Sequence, residues 1–348
     1  MKKITLLLTL SVGICASIFA QSPYIHKVYD YRPAPGRFVN EYPEYETGDT
    51  QEDMNRKAEA CISGENEIPI TLGGYGGYVV FGFDHPIINV ANSYDFKILG
   101  NAFITTTTPQ DGGSCEPGIV MVSYDANGNG LPDDVWYELA GSEYTKPETI
   151  KNYQITYYKS AQPHYPKWID DETLFFEGTK LADNGVDLSG TGAYYVLYAY
   201  PWGYADNYPN TDERSNFNIE WAVDAAGKAV HLPAIHFVKV YTGVNQQCGL
   251  LGEVSTEVAG AKDLHPNAVG INQFYQNKNT MRLLKNPVDD VLMLELSEPQ
   301  TLSIYNALGQ LVGTNRTTEG INKIDCSHLN KGVYIIISNY GNIKFIKQ

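Results

Sequence analysis

The sequence predicts an all-β protein: an antiparallel β-sandwich core followed by a small C-terminal β-sandwich. Short runs rich in β-branched and aromatic residues recur from Ile68 onward, each bounded by Gly, Pro, Asn or Asp. Hardly any helical period interrupts them, and this spacing is what an antiparallel sandwich produces. The composition agrees, since 26 tyrosines and 32 glycines among 348 residues suit strands joined by tight turns.

The chain opens Met1-Lys2-Lys3, followed by an apolar run to Ile14 and a small-residue segment ending at Ala20. This pattern predicts a secretory signal peptide over residues 1–20 with cleavage after Ala20. Cys15 lacks the small preceding residue that a lipoprotein signal needs, because Ile14 stands there. No later run approaches the ~18 apolar residues of a membrane span. A formal net charge of −15 argues against nucleic acid and anionic lipid as partners. Cys61, Cys115, Cys248 and Cys326 form no metal-binding spacing. In an oxidising compartment they allow three disulfide connectivities, with nothing in the sequence to choose among them.

Residues 21–67 are rich in Pro, Tyr and Glu. They read as an extended loop followed by one helix over Thr50–Cys61, capped by Asp49 or Thr50. The core is expected over residues 68–264. Its strand-like runs include Val79–Phe83, Tyr94–Leu99, Gly118–Tyr124, Val135–Leu139, Asn152–Tyr158, Thr173–Gly178, Ala193–Tyr200, Phe217–Val223 and Ile235–Tyr241. Thr105–Gly113 reads as a long loop, and Asp224–Gly227 as a hairpin turn. Residues 265–278 are polar and poorly patterned, a linker, and residues 279–348 form the second domain. That domain alternates as a seven-strand sandwich that starts at Asn286-Pro-Val288 and ends in a strand closing on Lys347.

The sharpest local signal lies between Gly118–Tyr124 and Val135–Leu139. The runs read as a hairpin whose connection is a ten-residue acidic loop, DANGNGLPDD. Asp125, Asn127, Asn129, Asp133 and Asp134 supply side-chain oxygens there, and Gly130 permits a sharp turn. The D-x-N-x-N-G spacing matches the first half of an EF-hand loop, so these five residues are expected to hold Ca²⁺. The second half departs from that pattern, with Trp136 where a glutamate would close the shell. The ion-free alternative is an ordinary Asn/Asp/Gly turn.

For binding, Tyr198-Ala-Tyr200-Pro-Trp202-Gly-Tyr204-Ala-Asp206-Asn207 packs four aromatics and two polar side chains into a strand end and loop. Exposed rings there would stack on a sugar or another flat ligand, with Asp206 and Asn207 taking hydroxyls or amides. Trp202, Tyr204, Asp206 and Asn207 are therefore the candidate ligand residues, unless the alternation buries part of the set. No positive signal for catalysis is found. Asp170-Asp171-Glu172 reads as a charged turn, His231 and His236 as ordinary histidines, and no nucleophile or metalloprotease motif is present.

Gly73–Phe83, Asp95–Phe103, the hairpin to Trp136-Tyr-Glu-Leu139, Trp221–Asp224 and Ile235–Tyr241 together resemble a family of exported bacterial surface proteins. The resemblance implies a jelly-roll-like sandwich related in build to carbohydrate-binding modules, and some such proteins occur with cobalamin uptake. The C-terminal region resembles the type A sorting domain of the type IX secretion system of Bacteroidetes. Asn286-Pro-Val288, Leu302–Asn306, Gly309-Gln310, Gly320–Asp325, Gly332–Ile336 and Lys344–Lys347 carry that likeness. It implies passage across the outer membrane by the type IX machinery, to the cell surface or the medium. The expectation is thus a non-enzymatic, Ca²⁺-stabilised surface or secreted protein that binds a glycan. The alternatives are a corrinoid-uptake accessory, an extracellular glycan hydrolase and a structural or adhesive protein.

Overall fold

The computed structural model describes residues 21–159, 164–268, 281–296, 298–307, 309–338 and 341–348. The signal segment lies outside them, as does most of the linker. The chain divides into two compact units, Met1–Val269 and Gly270–Gln348.

The first unit is built on a six-stranded antiparallel sheet. Its strands, in spatial order, are Lys27–Arg32, Tyr78–Ile88, Ala234–Thr242, Gly118–Ser123, Trp136–Leu139 and Ala222–Val223. The β-branched runs form the middle of this sheet because both of its faces are covered. Val79, Phe81, Val120, Val122, Val238 and Val240 point into one apolar cluster. Ile119 and Tyr241 point into a second, with Tyr78 and Met121 packed against it. Alternation by one residue assigns each side chain to its face.

The three-stranded sheet of Phe96–Leu99, Asn216–Phe217 and Gly260–Asp263 brings Phe96, Ile98, Phe217 and Ala261 to the first cluster. A four-stranded sheet contains Phe103–Thr106, Gly112–Ser114, Gly185–Asp187 and Tyr195–Tyr198, and supplies Ile104 and Leu197 to the second. The hairpin of Ile150–Tyr158 and Thr173–Lys180 adds Leu174 and Phe176 to the first. The expected all-β sandwich is thus observed.

Two local readings change. The segment before the helix is not all loop, since Lys27–Arg32 pairs with Tyr78–Gly82 as an edge strand. The stretch from Thr105 to Gly113 also enters strands, because Gly112 and Gly113 lie flat against neighbours. A Cβ on Gly112 would stand 2.6 Å from the Tyr198 ring. Trp168 is buried, stacked on Tyr31 at 5.8 Å, and Trp221 packs against the first cluster.

The helix occupies Gln51–Ile62 with Thr50 as its N-cap. Thr50 and Asp53 form a capping box, each side chain bonding the other's backbone N–H. Met54, Ala58 and Ile62, spaced by four, bury one stripe in the first cluster.

The second unit has seven strands in two sheets among the described residues. One contains Met281–Leu283, Val291–Leu296 and Gly320–Asp325. The other contains Thr301–Asn306, Leu311–Arg316, Gly332–Ser338 and Gly341–Lys347. Leu292, Leu294, Leu302, Ile304, Ile336 and Phe345 fill the space between them. Val288 of the Asn-Pro-Val segment forms a parallel bridge with Lys347 at the end of the last strand, donating to Ile346 O at 2.7 Å and accepting from Gln348 N at 3.0 Å.

Thr50→Ala removes the cap without touching the core. It should lower unfolding stability by about 1 kcal/mol, read as a shifted urea midpoint at unchanged slope; an unchanged midpoint would show that the box contributes nothing.

Candidate functional site

The acidic loop sits where the sequence places it, between the paired strands Gly118–Ser123 and Trp136–Leu139. Asp125 Oδ1 accepts from the backbone N–H of Gly128 and Asn129, and its Oδ2 from that of Gly130, at 2.7–3.1 Å. These donors outweigh the cost of partial desolvation and hold the Asp125 carboxyl below the usual range. The amides of Asn127 and Asn129 donate to Asp133, and Ala126 N donates to Asp134. Asp125 N–H in turn donates to His236 Nδ1 at 3.1 Å, pinning the loop to the sheet.

The aromatic loop is a different object from the expected platform. Tyr204, Asp206 and Asn207 are buried, and only Trp202, 39% exposed, reaches solvent, with its ring 4.7 Å from Trp221. Gly203, at φ 90°, turns the chain back so that Ala205 and Gly118 exchange backbone hydrogen bonds at 2.9 Å. Asn207 then closes the corner, accepting from Tyr200 N and donating to Tyr200 O. Tyr204 Oη accepts from Glu143 N at 3.0 Å. Pairing along Gly118 buries the polar tips that the sequence suggests are available for ligand.

Asp206 belongs to another constellation. Its Oδ1 accepts from Asn101 N and Ala102 N, and its Oδ2 from Glu257 N, all at 2.8–2.9 Å. Among the described residues, Glu116, Asp206 and Glu257 form a group whose carboxylate oxygens lie within 4.8 Å of one another. Each comes from a different part of the chain. Glu116 precedes the strand Gly118–Ser123 and donates its N–H to Asp206 O. Glu257 sits opposite Thr71 in a two-residue ladder. Ser255 ties two of the acids together, its N–H donating to Glu116 Oε1 and its hydroxyl to Glu257 Oε1.

Burial drives this trio up, and for Glu116 and Glu257 the neighbouring acids add to it. Glu116 is pushed to about 8 and Asp206, by burial, to about 7, while Glu257 rises well above its ordinary value. Near neutral pH the group shares protons, so it offers hydroxyl donors as well as carboxylate acceptors. Its three hard oxygens also make it a group that could hold a hard cation.

Glu116 and Glu257 line a cavity of about 470 Å³. Phe38, Tyr42, Pro69, Leu197 and Leu251 form much of its apolar wall, while Asn101, Ser114, Ser255 and Glu253 add polar groups. Phe38 and Tyr42 are 39% and 49% exposed, and their ring centroids lie 5.8 Å apart. Arg37 Nη1 donates to the carbonyls of Leu250 and Leu251, bracing one rim. A volume in the usual small-molecule range, apolar walls and a few convergent polar groups are the marks of a ligand site.

Sequence reasoning missed this site because its parts lie in six segments from residue 37 to residue 257. Glu257 carried a usable signal, as an acid flanked by Val258 and Ala259 in a run otherwise fit for burial. The charged turn Asp170–Glu172 lies at the surface, with Arg32 3.4 Å from Asp171 and Lys159 3.6 Å from Asp170. The four cysteines of the described chain are unpaired thiols.

A carboxyl that titrates higher when folded than unfolded binds more protons in the folded state through the interval between the two values. Stability from the Glu116 cluster is therefore full below the ordinary carboxylate range and is lost as pH rises toward about 8. The urea midpoint of the first unit should fall between about pH 5 and pH 8, and Glu116→Gln should flatten that fall. An equally steep fall in the variant would place its origin elsewhere.

No curated protein matches the chain. Residues 286–348 match a family model described as a secretion system C-terminal sorting domain. The second unit is thus a sorting domain of the type IX secretion system, which directs the chain out of the cell to the surface or the medium.

Proposed function

We propose that the first unit is a non-enzymatic glycan-binding domain, delivered outside the cell by its sorting domain, which takes a sugar in the cavity above Glu116 and Glu257. The observation that carries this reading is the pairing of two exposed rings, Phe38 and Tyr42, with a floor of partly protonated carboxyls. A sugar ring presents an apolar C–H face to aromatics and hydroxyls that need both donors and acceptors. The likeness of the core to jelly-roll surface proteins of Bacteroidetes supports the same class, on fold analogy alone.

A second reading, an extracellular glycan hydrolase, draws on the same acids, since a carboxyl titrating near neutrality beside another is how such enzymes obtain a general acid. The binding reading is preferred because Ser255 and the backbone hold both cavity carboxyls side by side in one floor.

Calorimetric titration with an oligosaccharide panel should show binding that the double variant Phe38→Ala/Tyr42→Ala weakens by about tenfold or more, and that Trp202→Ala leaves intact. Reducing ends released by the native chain but not by Glu116→Gln would instead establish the hydrolase. The same titration with cyanocobalamin tests the corrinoid alternative.

The proposal includes a stabilising Ca²⁺ in the Asp125–Asp134 loop. Its support is the D-x-N-x-N-G spacing of a loop wound around Asp125, with Asp133 and Asp134 hydrogen-bonded into the same loop, and the lone pairs that Asp125 keeps after accepting three N–H groups. Ca²⁺ should raise the thermal midpoint relative to EDTA, and Asp125→Ala should abolish that difference. A shift that persists in Asp125→Ala but vanishes in Glu257→Gln would move the ion to the buried trio, and no shift at all would make the loop an ion-free turn.

A further inference from the structure

A second cavity, of about 410 Å³, shares no lining residue with the first. Its floor is the central sheet, where Glu138 pairs with Met121 on one side and Val223 on the other. Its walls include residues of the hairpin Ile150–Tyr158/Thr173–Lys180 and of the turn Asp224–Gly227. Trp136 lies two residues before Glu138 and lines the same space.

The polar groups here are set by rigid elements. Thr179 Oγ1 donates to Glu138 Oε2 at 2.6 Å. Lys151 Nζ stands 3.7 Å from Glu138 Oε1 and 3.0 Å from the centre of the Tyr144 ring, which orients it by a cation–π contact. At 3.7 Å the ammonium and carboxylate are neighbours without a tight hydrogen bond. Burial pushes the Glu138 carboxyl up and the Lys151 ammonium down. Glu138 is largely out of water and Lys151 only partly so, and each lines open space.

We propose that this cavity is a second binding site, for a neutral pyranose bearing a vicinal diol. One hydroxyl donates to Glu138 while its neighbour accepts from Lys151, and the indole of Trp136 covers the C–H face of the ring. The charge around the cavity argues for a neutral ligand. Glu138, Glu177 and Asp224 disfavour an anion, and the Lys151 ammonium beside Glu138 disfavours a divalent cation. The site stands on residues separate from those of the first cavity, so either can fail without the other.

The test uses the full exported chain carrying Phe38→Ala/Tyr42→Ala, which disables the first cavity. The probes are the methyl glycosides of glucose, galactose and mannose at millimolar concentration, followed by saturation-transfer NMR and tryptophan fluorescence. At least one glycoside should bind and perturb the emission. Adding Lys151→Met should weaken it by about tenfold or more, and Trp136→Phe should remove the fluorescence change. Near-ultraviolet circular dichroism identifies any variant that has lost its fold, and the other variant then decides. Failure of all three glycosides to bind the Phe38→Ala/Tyr42→Ala chain overturns the proposal. So does binding unaffected by both Lys151→Met and Trp136→Phe.

Discussion

The strand Ala234–Thr242 has a hydrogen-bonded partner on each edge and an apolar cluster against each face. The apolar side chains of a strand so placed cannot reach water without opening a cluster, and this constraint fixes the register of the strands beside it. Slipping Gly118–Ser123 by one residue would exchange Val120 and Val122 with Ile119 and Met121 between two unlike interiors. The sheet carries part of both cavities and the acidic loop. Glu116 leads into one of its strands, Glu138 lies within another, and the acidic loop joins those same two strands.

The carboxyl trio shows how tertiary structure can place groups against their own solvation preference. Three acids within 4.8 Å of one another, largely out of water, weaken the fold near neutral pH. The backbone N–H groups of Asn101, Ala102, Ser255 and Glu257 offset part of that cost. Gly100 makes this approach possible, because a Cβ there would stand 2.3 Å from Asp206 Oδ1.

Asp206 ties the expected site to the observed one. Read in its own segment, YPWGYADN, it belongs to an aromatic loop that looks exposed. In the fold its carboxyl sits beneath the cavity with Glu116 and Glu257, while the neighbouring rings turn into the second apolar cluster. The segment stands out by its composition, but composition does not give direction. Two hydrogen bonds between Ala205 and Gly118 decide which side chains face water.

What the sequence determined by itself is local. Strand-forming runs and turn residues fixed the all-β class, Thr50 fixed the start of the helix, and Asp-x-Asn-x-Asn-Gly fixed a hairpin loop wound around Asp125. The seven-strand alternation of the C-terminal unit was equally legible, since its strands follow one another with short connections and a single core between two sheets. These features depend on residues a few positions apart, where side-chain periodicity and backbone preference act directly. Only the tertiary structure decided that Lys27–Arg32 is an edge strand, that Gly203–Asn207 is a buried corner, and that residues from 37 to 257 enclose one cavity. Those outcomes depend on which strands pair and in what register, and long-range pairing leaves no periodic mark in the segments that it joins.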